Sequence, residues 1–411
     1  MKEYQRPLLV PQYMHSFSCI GSECEDSCCI GWWVVIDKDT YRKYKSTHHP
    51  ELSPLLKKNI SRIRSKQNSE NYAKFKLHNG NCPFLTEKHL CQIQLELGEE
   101  YLSNVCTTYP RITNEVNGIL EKSATVSCPE AARLALLNPE IMEFDEVSEP
   151  VSTINMVKKR IDAHALKSAN KPLRYFWQLR IFTIDTLQNR HYSLEERLII
   201  LGIFYQKLQK YVDAGQVHEI PSLIAKHTNM IQNDSLKETL KTIPAQNTIQ
   251  MELLKELAEL RFTMGVSSKR YLQCFAESLH GIQYTDQAEV EEIGKNYQEA
   301  LERYYLPFMH DHHYILENYL VNHIFKNMFP FNQENLYESY IMLVVHYSLI
   351  KLHLIGISGF HKGLTQELVI KLIQSFAKTV EHNSTYLHKI LDLLKKNGYT
   401  SIAWMTIMIM N

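Results

Sequence analysis

From Asp185 onward, apolar residues recur every three or four positions, the spacing of one face of a helix. In "SLEERLIILGIFYQKLQKYV" the stripe runs through Leu194, Leu198, Leu201, Tyr205 and Leu208, and Ser193 with Glu196 forms the capping-box pattern that opens a helix. "NTIQMELLKELAELRFTM", "ENLYESYIMLVVHYSLIKLHLI" and "TQELVIKLIQSFAKTVEH" continue in kind. The pattern predicts an all-α domain of roughly nine to eleven helices joined by connections of ordinary length. It shows no fixed-period repeat of the tetratricopeptide or armadillo type.

The N-terminal third has a different rhythm. Short strand signals occur in "WWVVID" (32–37), "YAKFKLH" (72–78) and "GILEKSATVS" (118–127). "KDTYRKYKS" predicts a helix that Asp37 or Asp39 can cap. "NPEIMEFDEVSEP" (138–150) is acidic and bounded by prolines, as a linker would be. The expected chain is mainly α. A small cysteine-rich metal-binding module with short strands (1–138) leads through an acidic linker (139–150) to a large all-α domain (151–411). Residues 158–180 carry seven Lys or Arg against one Asp, a basic patch that is either a solvated helix face or a docking surface.

Composition narrows the function classes. A chain 44% hydrophobic and 22% charged is ordinary globular material, and 48.1 kDa suffices for a sizeable core. Lys plus Arg equals Asp plus Glu at 45 each, which removes the global basic field expected of a nucleic-acid binder. The opening "MKEYQRPLLVPQYMHSF" lacks the sustained apolar run of a signal peptide. No apolar stretch is expected to reach the roughly 18 residues that span a bilayer. A cytoplasmic protein without membrane insertion is therefore expected, in a compartment that keeps thiols reduced.

That expectation gives the cysteines their meaning. Eight of nine lie within the first 128 residues: Cys19, Cys24, Cys28, Cys29, Cys82, Cys91, Cys106 and Cys128. Thiolates are soft ligands that suit zinc and iron–sulfur clusters. The paired C-x2-C knuckles of zinc ribbons are missing. Adjacent Cys28 and Cys29 cannot easily both reach one zinc ion, but can reach different irons of a cubane or two separate centres. Iron–sulfur ligation is thus expected ahead of zinc, with disulfides or free thiols as the remaining alternatives. The spacing does not match the C-x3-C-x2-C loop of radical S-adenosylmethionine enzymes. His15, His48, His49, His78 and His89 are scattered through the block as possible replacement ligands, a role most surface histidines do not have.

"CIGSECEDSCC", followed by "CPFL", "C" and "CTTYPR", resembles the cysteine-rich zinc- or iron-chelating domain of many bacterial proteins. With "GWWVVIDKDTYRKY", "LQNRHYSLEERLIILG" and "ENYLVNHIFKNMFPF", most of the chain resembles the flagellin lysine-N-methylases. The resemblance implies methyl transfer from S-adenosylmethionine to surface lysines of flagellin, and a 4Fe–4S cluster on the cysteine motif. It matches Cys19, Cys24, Cys28 and Cys29 to the signature block, and Cys82, Cys91, Cys106 and Cys128 to the domain's further cysteines. The first gap, of four residues, is looser than a three-residue version of the motif.

The residues themselves constrain that chemistry. No G-x-G occurs, so the Gly-rich turn of a Rossmann-like methyltransferase is absent, and "GISG" (356–359) lies in a helical stretch. A donor site would have to come from the cysteine region or from a pocket between helices. In-line transfer needs a neutral amine, an aligned sulfonium and little water, and the 23 tyrosines can supply hydroxyls and cation-binding faces. Glu317, Asn318 and Tyr319 are candidates for ordering the amine or the donor, against a reading as helix cap and exposed face. "HDHH" (310–313) lacks ligand spacing that repeats on one helix face. Tyr109 and Arg111 flank the "YPR" turn after Cys106. Arg111 is expected to meet a reduced cluster, the methionine carboxylate of the donor, or a surface acid. The leading expectation is a protein-lysine N-methyltransferase, with its cluster structural or donor-positioning because nucleophilic displacement moves no electrons. The alternative is a non-enzymatic metal-binding assembly module whose helices hold a partner.

Overall fold

A computed structural model describes residues 4–31, 34–65, 68–285 and 287–411. The chain divides into two compact units. One comprises residues 1–115, 119–131 and 144–160; the other comprises 116–118, 132–143 and 161–411.

The first unit holds two sheets. Its strands are β1 (Gln5–Pro11), β2 (Val35–Ile36), β3 (Ile60–Arg62), β4 (Ala73–Phe75), β5 (Arg111–Val116), β6 (Ile119–Ala124), β7 (Phe144–Pro150) and β8 (Val157–Ile161). The larger sheet has the order β7-β1-β6-β5-β8 and the smaller β2-β4-β3. Expected strands at 72–78 and 118–127 appear as β4 and β6, and β2 falls within "WWVVID", of which Trp32 and Trp33 lie outside the described residues. The helix Lys38–Ser46 forms as expected, with Asp37 accepting from the Thr40 amide at 2.9 Å.

Residues 139–150 correct the expected linker. Phe144–Pro150 is strand β7, antiparallel to β1 from Gln5↔Pro150 to Pro11↔Phe144. One of its acidic side chains is used rather than solvated: buried Glu149 takes Lys122, Arg6 at 3.0 Å and Asn155 at 2.6 Å. An edge strand with one wet face reads as a polar segment.

The second unit carries thirteen α-helices between Phe176 and Ile409 among the described residues, more than the sequence predicts because short helices such as Lys237–Lys241 interrupt the connections. Ser193 and Glu196 close the predicted capping box on Leu194–Asp213. The helix Leu336–His361 is long and apolar enough to cross a membrane by length and composition, contrary to the expectation from the sequence. Its most apolar 18-residue window is wholly buried, so the surrounding helices account for its all-round hydrophobicity. "GISG" is its packing seam against Lys269–Gly281. A Cβ on Gly356 would lie 2.3 Å from the Ser278 carbonyl oxygen, and one on Gly281 would lie 1.7 Å from that of Gly356.

The basic patch loses one member to the core. Arg180 is 2% exposed, its guanidinium over the rings of Phe176, Trp177 and Phe325 at 4.4–5.1 Å.

Candidate functional site

Four thiols share one small apolar core. Cys82 is buried with Val34, Ile36, Tyr44, Phe75, Phe84 and Ile93, and Cys29, Cys91 and Cys106 pack against the same cluster. Each arrives on a different local device. The Asn79-Gly80 turn, with both residues at positive φ, closes on reciprocal His78–Asn81 bonds of 3.0 Å and delivers Cys82. The Cys82 amide then bonds the Cys29 carbonyl at 2.8 Å, and Gly31 bonds Gly80 at 2.9 Å, which fixes the signature loop against that turn. Cys91 is the N-cap of the helix Gln92–Leu97. Cys106 rides on Asn104–Thr108, capped by Ser103 and held to Asp37 by the Asn104 amide at 3.2 Å. Asp37 thereby joins two helix starts. Burial works against its charge, but the amides of Thr40 and Asn104 and the Thr40 hydroxyl hold its carboxyl below the usual range.

The remaining cysteines of the block lie outside that core. Cys128 precedes the helix Pro129–Leu136, and its thiol is close enough to Cys24 and Cys19 to feel both charges. Cys24 is likewise close to Cys28. Two tethers hold this region: the Tyr13 hydroxyl accepts from the Ala124 amide at 2.8 Å, and Arg111 lies over Phe17 at 4.9 Å. None of the nine cysteines is in a disulfide, and Cys274 sits apart, buried in the helical unit. Burial pushes the Cys106 thiol up to about 12 and Cys128 to about 11. A hydrogen bond from Cys28 lowers Cys29, but the bond to Cys82 and burial raise it on balance. A cationic centre is what such crowded thiols need to ionise. Among the described residues, no three His, Cys, Asp or Glu side chains stand at the spacing of ligands around a single ion.

Three of the five histidines have partners elsewhere. His15 bonds Asp145 at 2.9 Å, His78 bonds Asn59 at 2.8 Å and His49 faces Glu96 at 3.3 Å. His48 borders a cavity of about 460 Å³ with Tyr41, Tyr44, Lys57 and Arg62, and His89 is a turn residue at positive φ. In "HDHH" the rings diverge, His310 to Asp311, His312 to the Phe308 carbonyl and His313 to that of His310.

Arg111 also lines a second cavity, of about 580 Å³, with Asp37, Glu100, Asn104, Thr108 and Asn155. Tyr109 is half-buried, and its hydroxyl meets the Ser127 hydroxyl at 3.1 Å. Burial raises its phenol well above the usual value, and Cys128 and Cys28 add to the rise.

Glu317, Asn318 and Tyr319 lie in the helical unit with internal partners. Glu317 is fully buried; Arg190 grips it in bidentate fashion at 2.9–3.2 Å and Arg197 at 2.7 Å. Asn318 donates to the Asn138 carbonyl at 2.8 Å. Tyr319 donates to Glu381 at 2.6 Å, and Lys326 pairs with the same carboxylate at 2.7 Å. Sequence reasoning missed this second buried cluster, in which His323 and His346 also face Glu381. Its signal was the lone Lys326 in an apolar run, since a buried lysine requires an acid.

The fold sets a cysteine-rich unit with two small sheets beside a large helical unit in one chain. The family model of the FliB lysine N-methylase C-terminal domain matches residues 180–408, and the chain belongs to the FliB lysine N-methylase family. By that membership it is a protein-lysine N-methyltransferase. It is 26% identical to the lysine-N-methylases of Salmonella choleraesuis (strain SC-B67) and Salmonella typhimurium (strain LT2), over 91% of this chain and 92% of each of theirs. It is 31% identical to the flagellar biosynthetic protein FliU of Salmonella muenchen, over 42% of this chain and 94% of that protein. No solved structure matches.

Proposed function

We propose that the chain transfers methyl groups from S-adenosylmethionine to lysines of flagellin, and that its N-terminal cysteines hold a 4Fe–4S cluster. The observation that carries the cluster is the convergence of Cys29, Cys82, Cys91 and Cys106 on one apolar core. Four soft donors without disulfides are the donor chemistry of an iron–sulfur centre, with zinc as the runner-up, although their sulfurs do not stand at ligand spacing around one ion. The flagellar name of the FliU relative supports flagellin as the protein substrate.

When bound, the donor supplies an electrophilic methyl on a sulfonium, and the cluster orders the module that surrounds it. This chain's residues do the rest. Arg111, on the wall of the 580 Å³ cavity, is suited to the donor's carboxylate, and the cavity falls within the size range of cofactor sites. Asp37 keeps the helix carrying Cys106 in register with that wall. The proposed compartment is the cytoplasm, where thiols stay reduced. Incubating anaerobically purified protein with methyl-labelled S-adenosylmethionine and flagellin, then mapping methyl-lysine by mass spectrometry, tests the reading. Label on flagellin lysines is expected. No label from protein with its full iron content refutes it.

A further inference from the structure

The cavity of about 460 Å³ beside His48 takes no part in the proposed methyl transfer, and one continuous stretch of chain builds it. The helix Lys38–Ser46 supplies Tyr41, Tyr44 and Lys45, whose i, i+3, i+4 spacing puts them on one face. The helix Leu52–Asn59 supplies Ser53, Leu56 and Lys57 at the same spacing. Strand β3 adds Ile60 and Arg62, which its two-residue repeat places on one side. The connection between the helices is pinned. The Ser53 hydroxyl donates to the Thr47 carbonyl at 2.7 Å and accepts from the His49 amide at 2.8 Å, which holds His48 at the rim.

The wall divides by chemistry. Tyr44 and Leu56 are buried and form an apolar floor, whereas Lys45, His48, Lys57 and Arg62 are exposed around it. Among the described residues, no Asp or Glu lines the cavity, and none of those four side chains forms an ion pair. Aromatic rings hold two of the cations instead. The Arg62 guanidinium lies 3.8 Å from the centre of the Tyr72 ring and 5.6 Å from that of Tyr41, and the Lys45 ammonium lies 5.7 Å from that of Tyr41. A ring face positions a cation without neutralising it, so the charge stays available to a ligand. Lys45, Lys57 and Arg62 around a tyrosine-lined floor suit a molecule with a flat ring at one end and phosphates at the other. The volume is that of a small-ligand pocket and is too small for a folded partner.

We propose that this cavity binds a nucleoside phosphate, with its base against Tyr41 and Tyr44 and its phosphates on Lys45, Lys57 and Arg62. It shares no lining residue with the 580 Å³ cavity assigned to S-adenosylmethionine, whose wall carries carboxylates beside Arg111.

Isothermal titration calorimetry of the full chain, purified without oxygen, tests the proposal with ADP, adenosine and pyrophosphate as probes. Saturable binding of one ADP per chain is expected, about tenfold or more tighter than either fragment, because each fragment forfeits one half of the site. Lys45→Met/Lys57→Met/Arg62→Met should weaken ADP about tenfold or more, the loss of at least one charge-assisted contact, with Tm unchanged. Lys57→Glu, at an exposed position, should weaken it in the same direction even if the triple variant fails to fold. S-adenosylmethionine, which carries no phosphate, should not displace ADP. No saturable ADP binding below about 1 mM, adenosine or pyrophosphate as tight as ADP, or full affinity in Lys57→Glu overturns the site. Displacement by S-adenosylmethionine overturns it as well, and returns the cavity to the methyl donor.

Discussion

Glu317→Gln separates a structural carboxylate from a chemical one. The native side chain is fully buried, and its Arg197 partner has a side chain only 3% exposed. Removing one member of such a pair leaves a buried charge uncompensated, at a cost of about 3–5 kcal/mol. The Arg190 contact adds little, because that side chain is 32% exposed and its attraction is screened, to about 0.5 kcal/mol. A destabilisation of about 4 kcal/mol in a unit of this size lowers Tm by roughly 8–16 °C. Thermal unfolding followed by circular dichroism measures it, alongside methyl transfer assayed well below the variant's Tm. Glu317→Gln should melt early and keep transfer when folded, and Glu317→Gln/Arg197→Met should recover part of the loss. A variant that melts with the parent yet transfers no methyl would refute the reasoning and return Glu317 to the chemistry.

Gly356→Ala forces a Cβ to 2.3 Å from the Ser278 carbonyl oxygen, so two helices must separate. A loss of about 1–3 kcal/mol is expected in urea unfolding, and an unchanged midpoint contradicts the seam. Burial depresses His353 from 6.5 to about 4. Its unfolded form takes the proton first, so its stabilisation is complete above about pH 6.5 and is lost as pH falls towards 4, for about 3 kcal/mol in all. For Glu195, burial favours the neutral acid, but Lys351 and Tyr347 hold the carboxyl down to about 2, so its contribution is lost from pH 4.5 towards 2. Unfolding free energy should therefore fall steadily from pH 6.5 downward, and a flat profile to pH 4 contradicts the histidine assignment. Arg111→Met should raise KM for S-adenosylmethionine about tenfold, the worth of roughly 1.4 kcal/mol of lost charge pairing, with flagellin KM unchanged. An unaltered donor KM removes Arg111 from the site.

Local patterns were legible wherever one stretch of chain sets its own structure. The Ser193–Glu196 capping box and the Asp37 cap both form where the sequence places them. Strand β1 was not legible, because Pro7 and Pro11 mask a segment held by pairing with β6 and β7. β7 was read as a linker because one of its faces is polar. Long-range partners were illegible for the same physical reason: Arg190 and Arg197 lie 127 and 120 residues from the Glu317 they grip. The thiols show both sides. Their crowding is plain in the sequence, but which of them pack beside Cys82 on the small apolar core depends on the fold around them.

Whether Cys29, Cys82, Cys91 and Cys106 close on one inorganic centre is decided most directly by an anomalous difference map, collected at the iron edge from crystals grown without oxygen. A peak enclosed by those four sulfurs is the predicted result. Sulfurs dispersed, or bonded to one another with no anomalous density between them, would contradict it.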